Sequence, residues 1–303
     1  MAFVPLWGAC SFRENAMPIR HLHLWPHHGP QTAFVLGGGG NLGAVQVGML
    51  RALLERHIRP DVLIGCSVGA LNAAAMAADP SLEGVARLER IWLELDANAL
   101  FGPNHSLSGF LLLARRRVSM QSNDGMRQLI ERALPYRTFE EAAVPLHVVA
   151  TSLRSGREVW FSTGPVIEPI LASAALPGVF PPVELAGDVF IDGGVVDNVP
   201  MSRAFELRAP SVYVLHPGNF TRPRAQPRRP VDVLLQAFSI ARNRRFFSEA
   251  DAPPDGVELV KLPAVDPGNL RYNDFRRSRE LMARGHAAAA AYLDGDARAA
   301  SGA

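Results

Sequence analysis

An α/β fold is the class this sequence predicts, on three observations. Thr32-Ala33-Phe34-Val35-Leu36 is a short apolar, partly β-branched run that empties into four glycines and reads as a buried strand. From Leu42 to Leu54 the apolar residues Val45, Met49, Ala52 and Leu53 fall at three- and four-residue steps, which is helical spacing, and Arg59-Pro60 closes the segment. Val62-Leu63-Ile64-Gly65 is a second strand. Strand, glycine loop, helix, strand is a βαβ unit, for which parallel pairing and a right-handed crossover are the rule.

The remaining elements follow in order. Ser67 to Ala78 is a small-residue helix ended by Asp79-Pro80. The pattern from about 81 to 143 is a helical insertion, whose middle, Leu107 to Leu113, is strongly apolar before Arg115-Arg116-Arg117 turns it basic. Leu146 to Thr151 is the next strand, paired with Glu158 to Phe161 across the turn Ser155-Gly156. Ile167 to Ala175 is a short helix stopped by Pro177-Gly178, and Val189-Phe190-Ile191 and Val212 to Leu215 are strands. Residues 221–230 are rich in Arg and Pro and read as a surface loop. A basic helix (Val231 to Ala250), a strand (Val257 to Leu262) and a final helix (Phe275 to Leu293) end the chain. The domain reading is a disordered leader over 1–31, a core over 32–216 and a C-terminal extension, 217–303, completing the same domain.

Composition narrows the classes. With 303 residues, 48% hydrophobic and 20% charged, the chain is globular and long enough to bury a substantial core. Basic residues number 31 and acidic ones 29, a balance that argues against a nucleic-acid partner. Lys261 is the only lysine, an arginine bias that fits a GC-rich genome and carries little functional weight. Cys10 and Cys66 supply neither a disulfide framework nor metal-type spacing, and a reducing cytoplasm fits best. The first thirty residues lack the n-region and h-region of a secretory signal; their histidine-rich run reads as a leader, or as text upstream of a start at Met17. No apolar run has the length of a membrane span, so any membrane contact is expected to be peripheral, at the inner face.

Gly65-Cys66-Ser67-Val68-Gly69 is the most informative segment, because it lies between a strand and a helix. On such a turn the glycines let the backbone fold sharply and expose the hydroxyl, while the helix N-terminus brings N–H groups and partial positive charge beside it. Ser67 therefore reads as a nucleophile, against the alternative of a simple N-cap. Acyl transfer also needs donors for its oxyanion. The loop Gly37-Gly38-Gly39-Gly40-Asn41-Leu42-Gly43 can converge several amides on one point. Gly38, Gly40 and Gly43 also satisfy a dinucleotide fingerprint, but that reading wants an acid at the end of the second strand, where Gly65-Cys66-Ser67 stands; Asp61 precedes the strand.

A base is harder to choose. His147 lies within a strand, His286 in a helix and His105 in the insertion, whereas His216, before Pro217-Gly218, ends a strand. Asp192 is as well placed, with Gly193-Gly194 turning the backbone at once. Spacing alone leaves Asp192 and His216 open.

Gly38-Gly39-Gly40, then Gly65 to Gly69, then Asp192-Gly193-Gly194, in that order, resemble the three signature segments of the patatin-like phospholipases. Ala172 to Pro177, Phe180-Pro181-Pro182 and Asn198-Val199-Pro200 resemble the family as well, so the likeness runs from about Ala33 to Leu215. The resemblance implies a three-layer α/β/α fold with a mostly parallel sheet, related to the α/β-hydrolases. It implies a Ser-Asp dyad, with Ser67 the nucleophile, Asp192 the general base, and the amides of Gly38, Gly39 and Gly40 the oxyanion hole, no cofactor, no metal, and a lipid ester as substrate. Leu42 departs from the pattern, which usually has Arg or Lys there. That departure keeps a second reading open, a catalytically weak patatin-like protein that binds lipid or regulates. Leu107 to Val118, and Arg242, Arg244 and Arg245 with Phe246 and Phe247, are candidate lipid-facing elements, to be weighed against a lid or packed helices with solvated basic ends. Oligomeric state is not legible.

Overall fold

The computed structural model describes residues 29–95, 119, 121–218, 226, 233, 236–237, 240, 245–266 and 274–301. Most of the leader, the segment 107–118, Arg242, Arg244 and, apart from Gln226, the loop 221–230 lie outside them.

Among the described residues one sheet has eight strands: β1 Thr32–Leu36, β2 Val62–Cys66, β3 Leu146–Ser152, β4 Glu158–Phe161, β5 Val183–Leu185, β6 Asp188–Asp192, β7 Ser211–Leu215 and β8 Glu258–Lys261. Their order is β5-β6-β3-β2-β1-β7-β8, with β4 also on β3. The five strands from β3 to β8 in that order are parallel, and β4, β5 and β6 pair antiparallel. β2 and β3 are buried throughout and β1 almost so, which is why they read as continuous apolar runs instead of alternating ones.

The helices are α1 Gly43–Glu55, α2 Val68–Ala78, α3 Leu82–Glu94, α4 Asp124–Ala133, α5 Ile167–Ser173, α6 Met201–Glu206 and α7 Ser278–Ser301. Successive strand residues point to opposite faces, and two apolar cores follow from that alternation. Phe34, Leu36 and Leu63 join the larger core with α1, α2 and α7, while Ala33, Val35, Val62 and Ile64 join the smaller one with Met201 and Ala204 of α6 and with Phe246. The result is three layers, helices on both faces of a mostly parallel sheet. α7 lies against α1 at a crossing with no room for side chains: a Cβ on Gly48 would stand 2.0 Å from the Met282 carbonyl oxygen, and one on Gly285 2.3 Å from that of Val45. Among the described residues no helix is long and apolar enough to cross a membrane.

Two short elements, β5 and α6, escape the pattern reading because three and six residues are too few to show a period. β5 and β6 pair with each other antiparallel through Val183–Phe190 and Leu185–Asp188, a hairpin whose turn is made by Ala186 and Gly187, both at positive φ.

Candidate active site

β2 ends at Cys66 and α2 begins at Val68, so Ser67 carries the whole change of direction. Its φ of 55° and ψ of −124° lie where a residue with a Cβ is strained, at a cost on the order of 1–3 kcal/mol. Neighbours hold it there. The Ser67 N–H donates to Ser173 Oγ at 2.8 Å, and its carbonyl accepts the N–H groups of Ala70 and Leu71. The flanking glycines answer a need for space: a Cβ on Gly65 would stand 2.6 Å from Ala70 Cα, and one on Gly69 2.1 Å from the Leu36 carbonyl oxygen.

Asp192 ends β6 opposite Ala150 of β3, and Thr151 Oγ1 donates to its backbone carbonyl at 3.0 Å. Its carboxylate is buried, with the residue 4% exposed. Oδ1 accepts the Gly194 N–H at 2.7 Å, and Oδ2 accepts the Ser67 hydroxyl at 2.6 Å. The division of labour is clear: one oxygen is pinned by the turn, and the other is aimed at the serine. Gly193 is required where β3 passes, since a Cβ there would stand 2.4 Å from the Val149 carbonyl oxygen.

The histidines lie elsewhere. His216 directly follows β7, is buried, accepts the Gly218 N–H on Nδ1 and stacks edge-on with Phe246; burial pushes its pKa down to about 4. His147 accepts from Arg203 Nε at 3.3 Å, and burial, with help from the Arg203 charge, lowers it to about 4 as well. His286 pairs with Glu55 at 2.6 Å on the far side of α1, and His105 lies outside the described residues. Among the described residues the Ser67 hydroxyl thus meets a carboxylate and not an imidazole.

The glycine loop follows β1 at the same edge. A Cβ on Gly38 would stand 3.2 Å from Ser67 Cβ, and one on Gly43 2.4 Å from Val68 Cγ2, so loop and serine turn are packed together. A buried chain of neutral amides braces the loop. Trp92 Nε1 donates to Asn72 Oδ1, Asn72 Nδ2 to Gln46 Oε1 and the Gly43 carbonyl, and Gln46 Nε2 to the carbonyls of Gly37 and Leu215, all between 2.7 and 3.0 Å. Asn41 Nδ2 adds a bond to the Asp274 carbonyl at 2.8 Å. Gly38 donates its own N–H to the Asn198 carbonyl at 2.9 Å, whereas no hydrogen bond from the Gly39 or Gly40 amide occurs among the described residues. Two of the three amides expected to receive an oxyanion are therefore uncommitted, and the third is occupied. Leu42 is half-buried and packs on the larger core. Asp61, just before β2 and not at its end, where a dinucleotide would need an acid, bonds the Gln31 and Thr32 amides at the opposite edge of the sheet.

The family model described as patatin-like phospholipase matches residues 34–205, more than half of the chain, a range that includes the glycine loop, Ser67 and Asp192. The chain belongs to the patatin-like phospholipase family. Among relatives of this patatin-like chain, an uncharacterised NTE family protein from Mycobacterium tuberculosis is 32% identical over 173 residues, 57% of this chain and 45% of that protein. A protein named as a lysophospholipase, from Mycosarcoma maydis, is 30% identical over 200 residues, 65% of this chain and 10% of that protein. The chain thus spans less than half the length of the curated relatives it matches. The crystal structure of VipD from Legionella pneumophila shares the fold, with a TM-score of 0.50 at 16% identity over 88% of this chain and 67% of that one.

Several residues of this patatin-like site were not legible by motif. Gln46 and Asn72 left one signal, a polar residue fully enclosed by apolar or small neighbours in a helix, and Ser173 lay in the family-like segment Ala172 to Pro177 without a role being assigned to it. Asp197 left none. It is buried after the Asp192 turn, bonded to Ser202 and 3.4 Å from Arg245, which also binds Glu158 and Glu249. Burial raises its pKa to about 7 against the pull of Arg245.

Proposed function

We propose that this protein is a serine acyl hydrolase releasing fatty acid from lipid esters: phospholipid, lysophospholipid or neutral acylglycerol. The observation that carries the reading is the 2.6 Å hydrogen bond from the Ser67 hydroxyl to a buried, turn-pinned Asp192, beside a glycine loop with two uncommitted amides. Family membership and the relative named as a lysophospholipase support the lipid ester as substrate.

Ser67 Oγ attacks the ester carbonyl carbon as its proton passes to Asp192 Oδ2, and the carbonyl oxygen gains its charge facing Gly39 and Gly40. Collapse expels the alcohol, which takes the proton back from Asp192 and leaves the acyl group on Ser67. Water then attacks the acyl carbon as its proton passes to Asp192, and collapse releases the fatty acid while Asp192 returns that proton to Ser67 Oγ. General base assistance contributes on the order of 10²–10⁴-fold and each oxyanion donor about 10²–10³-fold. Lipid esters lie at a lipid–water boundary, so the reading includes peripheral contact at the inner face of a membrane from a cytoplasmic location; flotation with neutral and anionic vesicles tests it, and binding to neither would sink it.

Ser67→Ala and Asp192→Asn are each expected to abolish hydrolysis across a lipid panel without unfolding the protein, and a fluorophosphonate probe to label Ser67 in the wild type. Activity retained by either variant removes that residue from the mechanism. Absence of labelling favours the lipid-binding alternative that Leu42 raises. What supports the hydrolase reading over that alternative is that, among the described residues, the side chains bonded to the glycine loop are neutral, so Leu42 takes no cation away from them.

A further inference from the structure

Asn198 is buried six residues after Asp192 and touches both chemical loops at once. Its backbone carbonyl accepts the Gly38 N–H at 2.9 Å, and its Nδ2 donates to the Gly38 carbonyl at 3.3 Å. One residue thereby holds both polar groups of Gly38. Among the described residues Asn198 Oδ1 is buried and accepts no hydrogen bond. It stands 2.6 Å from where a Cβ on Gly38 would lie and 2.7 Å from where one on Gly194 would lie, so the side chain is slotted between a glycine of each loop. Turning the amide over would set oxygen against the Gly38 carbonyl oxygen; the orphaned acceptor is what remains when the donor is spent on the loop.

The C=O and N–H of one trans peptide are fixed in a plane and point opposite ways. Holding the Gly38 carbonyl toward Asn198 therefore turns the Gly39 N–H away from it. Between two glycines this peptide would otherwise turn over at little steric cost, presenting a carbonyl oxygen where a donor is wanted. We propose that Asn198 is a positioning residue of the oxyanion hole, setting the Gly38–Gly39 peptide so that the Gly39 N–H faces the carbonyl oxygen of an ester at Ser67. The inference rests on the hydrolase reading above and assigns Asn198 no contact with the reacting atoms.

Asn198→Ala and Asn198→Ser test it with a soluble nitrophenyl ester and a trifluoromethyl ketone, which Ser67 would bind as a charged hemiketal. In a folded variant kcat falls roughly 10²–10³-fold with KM nearly unchanged, and the inhibition constant of the ketone rises by a similar factor. A folded variant with unchanged kcat and ketone affinity overturns the proposal. Should neither variant fold, the wild type carries the test: the Gly39 amide proton moves downfield in the ketone adduct, and a stationary resonance overturns it. A wild type that cleaves no ester and forms no adduct sinks the hydrolase reading instead. The role of Asn198 is then decided by the crystal structure of a variant, where an unturned Gly38–Gly39 peptide is the overturning result.

Discussion

The two loops that meet at Ser67 are braced by different chemistry. Behind the glycine loop stand neutral groups, Trp92, Asn72 and Gln46, each donating to the next and ending on backbone carbonyls. Beyond the Asp192 turn stands a charged cluster, in which Arg245 reaches Glu158, Asp197 and Glu249 and ties the helical segment 245–250 to the core. A neutral chain keeps its strength at any pH or salt, so the donor side of the site is held by something insensitive to conditions. A charged cluster beyond the Asp192 turn is tunable, and also vulnerable, because burial penalises each ionised member.

Breaking the neutral chain should do the most damage. Gln46→Leu removes the hydrogen bonds to the Gly37 and Leu215 carbonyls and takes from Asn72 Nδ2 one of its two acceptors in a fully buried place. Unsatisfied buried groups cost about 1–3 kcal/mol each, so a loss of roughly 3 kcal/mol in urea unfolding is expected. Hydrolysis should fall by at least tenfold, and by the same factor at 50 mM and 500 mM salt. A salt-dependent loss would mean that the brace is not purely neutral.

Arg245→Met comes next. It leaves Asp197 without its cation, and because Arg245 is about a third exposed the cost falls below the full penalty of a broken buried pair, at roughly 2–3 kcal/mol. Unlike the Gln46 variant, this one should depend on pH. With Asp197 near 7 the carboxyl is ionised above that value and neutral below it, so the deficit is larger at pH 8 than at pH 5. Equal deficits at the two values would show that Asp197 is not the group responsible.

Legibility followed the same division. The βαβ unit, the serine turn and the Asp192 turn could be read because strands, glycines and turn residues obey local rules. The neutral brace left only a trace, Gln46 between Val45 and Val47 and Asn72 among alanines, and its partners are set by helix packing. The charged cluster was invisible, since Glu158 of β4, Asp197 and Arg245 are brought together only by the tertiary fold and each looks like an ordinary surface charge in sequence. Spacing left Asp192 and His216 level; what separates them is that the Ser67 hydroxyl lies 2.6 Å from the one, while the other is turned into an apolar contact with Phe246.

A smaller effect distinguishes Asp197 from the buried imidazoles. A carboxyl raised from 3.8 to about 7 takes up a proton in the folded state that the unfolded chain does not, so acidification through that window adds stability; His147 and His216, lowered from 6.5 to about 4, do the reverse. Asp197→Asn imitates the protonated carboxyl. It should stabilise the protein above pH 7, match the wild type near pH 4, and lose stability more steeply than the wild type on acidification between them. Parallel stability curves for the two proteins would remove Asp197 from the acid response.

The smallest effect is expected at Leu42, and there the comparison is sharpened most. If a cation at this position were needed to brace the glycine loop, Leu42→Arg would raise activity. The loop is already tied through Gln46 to Gly37, through Asn72 to Gly43 and through Asn41 to Asp274, so it has neutral support that does not depend on a guanidinium. Leu42 is only half-buried, and an arginine stem can lie along the apolar surface with its head in water, holding the stability change to about 1 kcal/mol or less. Hydrolysis of a neutral ester should stay within about threefold of the wild type. A tenfold gain confined to anionic lipids would instead assign the cation to the substrate's headgroup, leaving the neutral brace intact as the support of the loop.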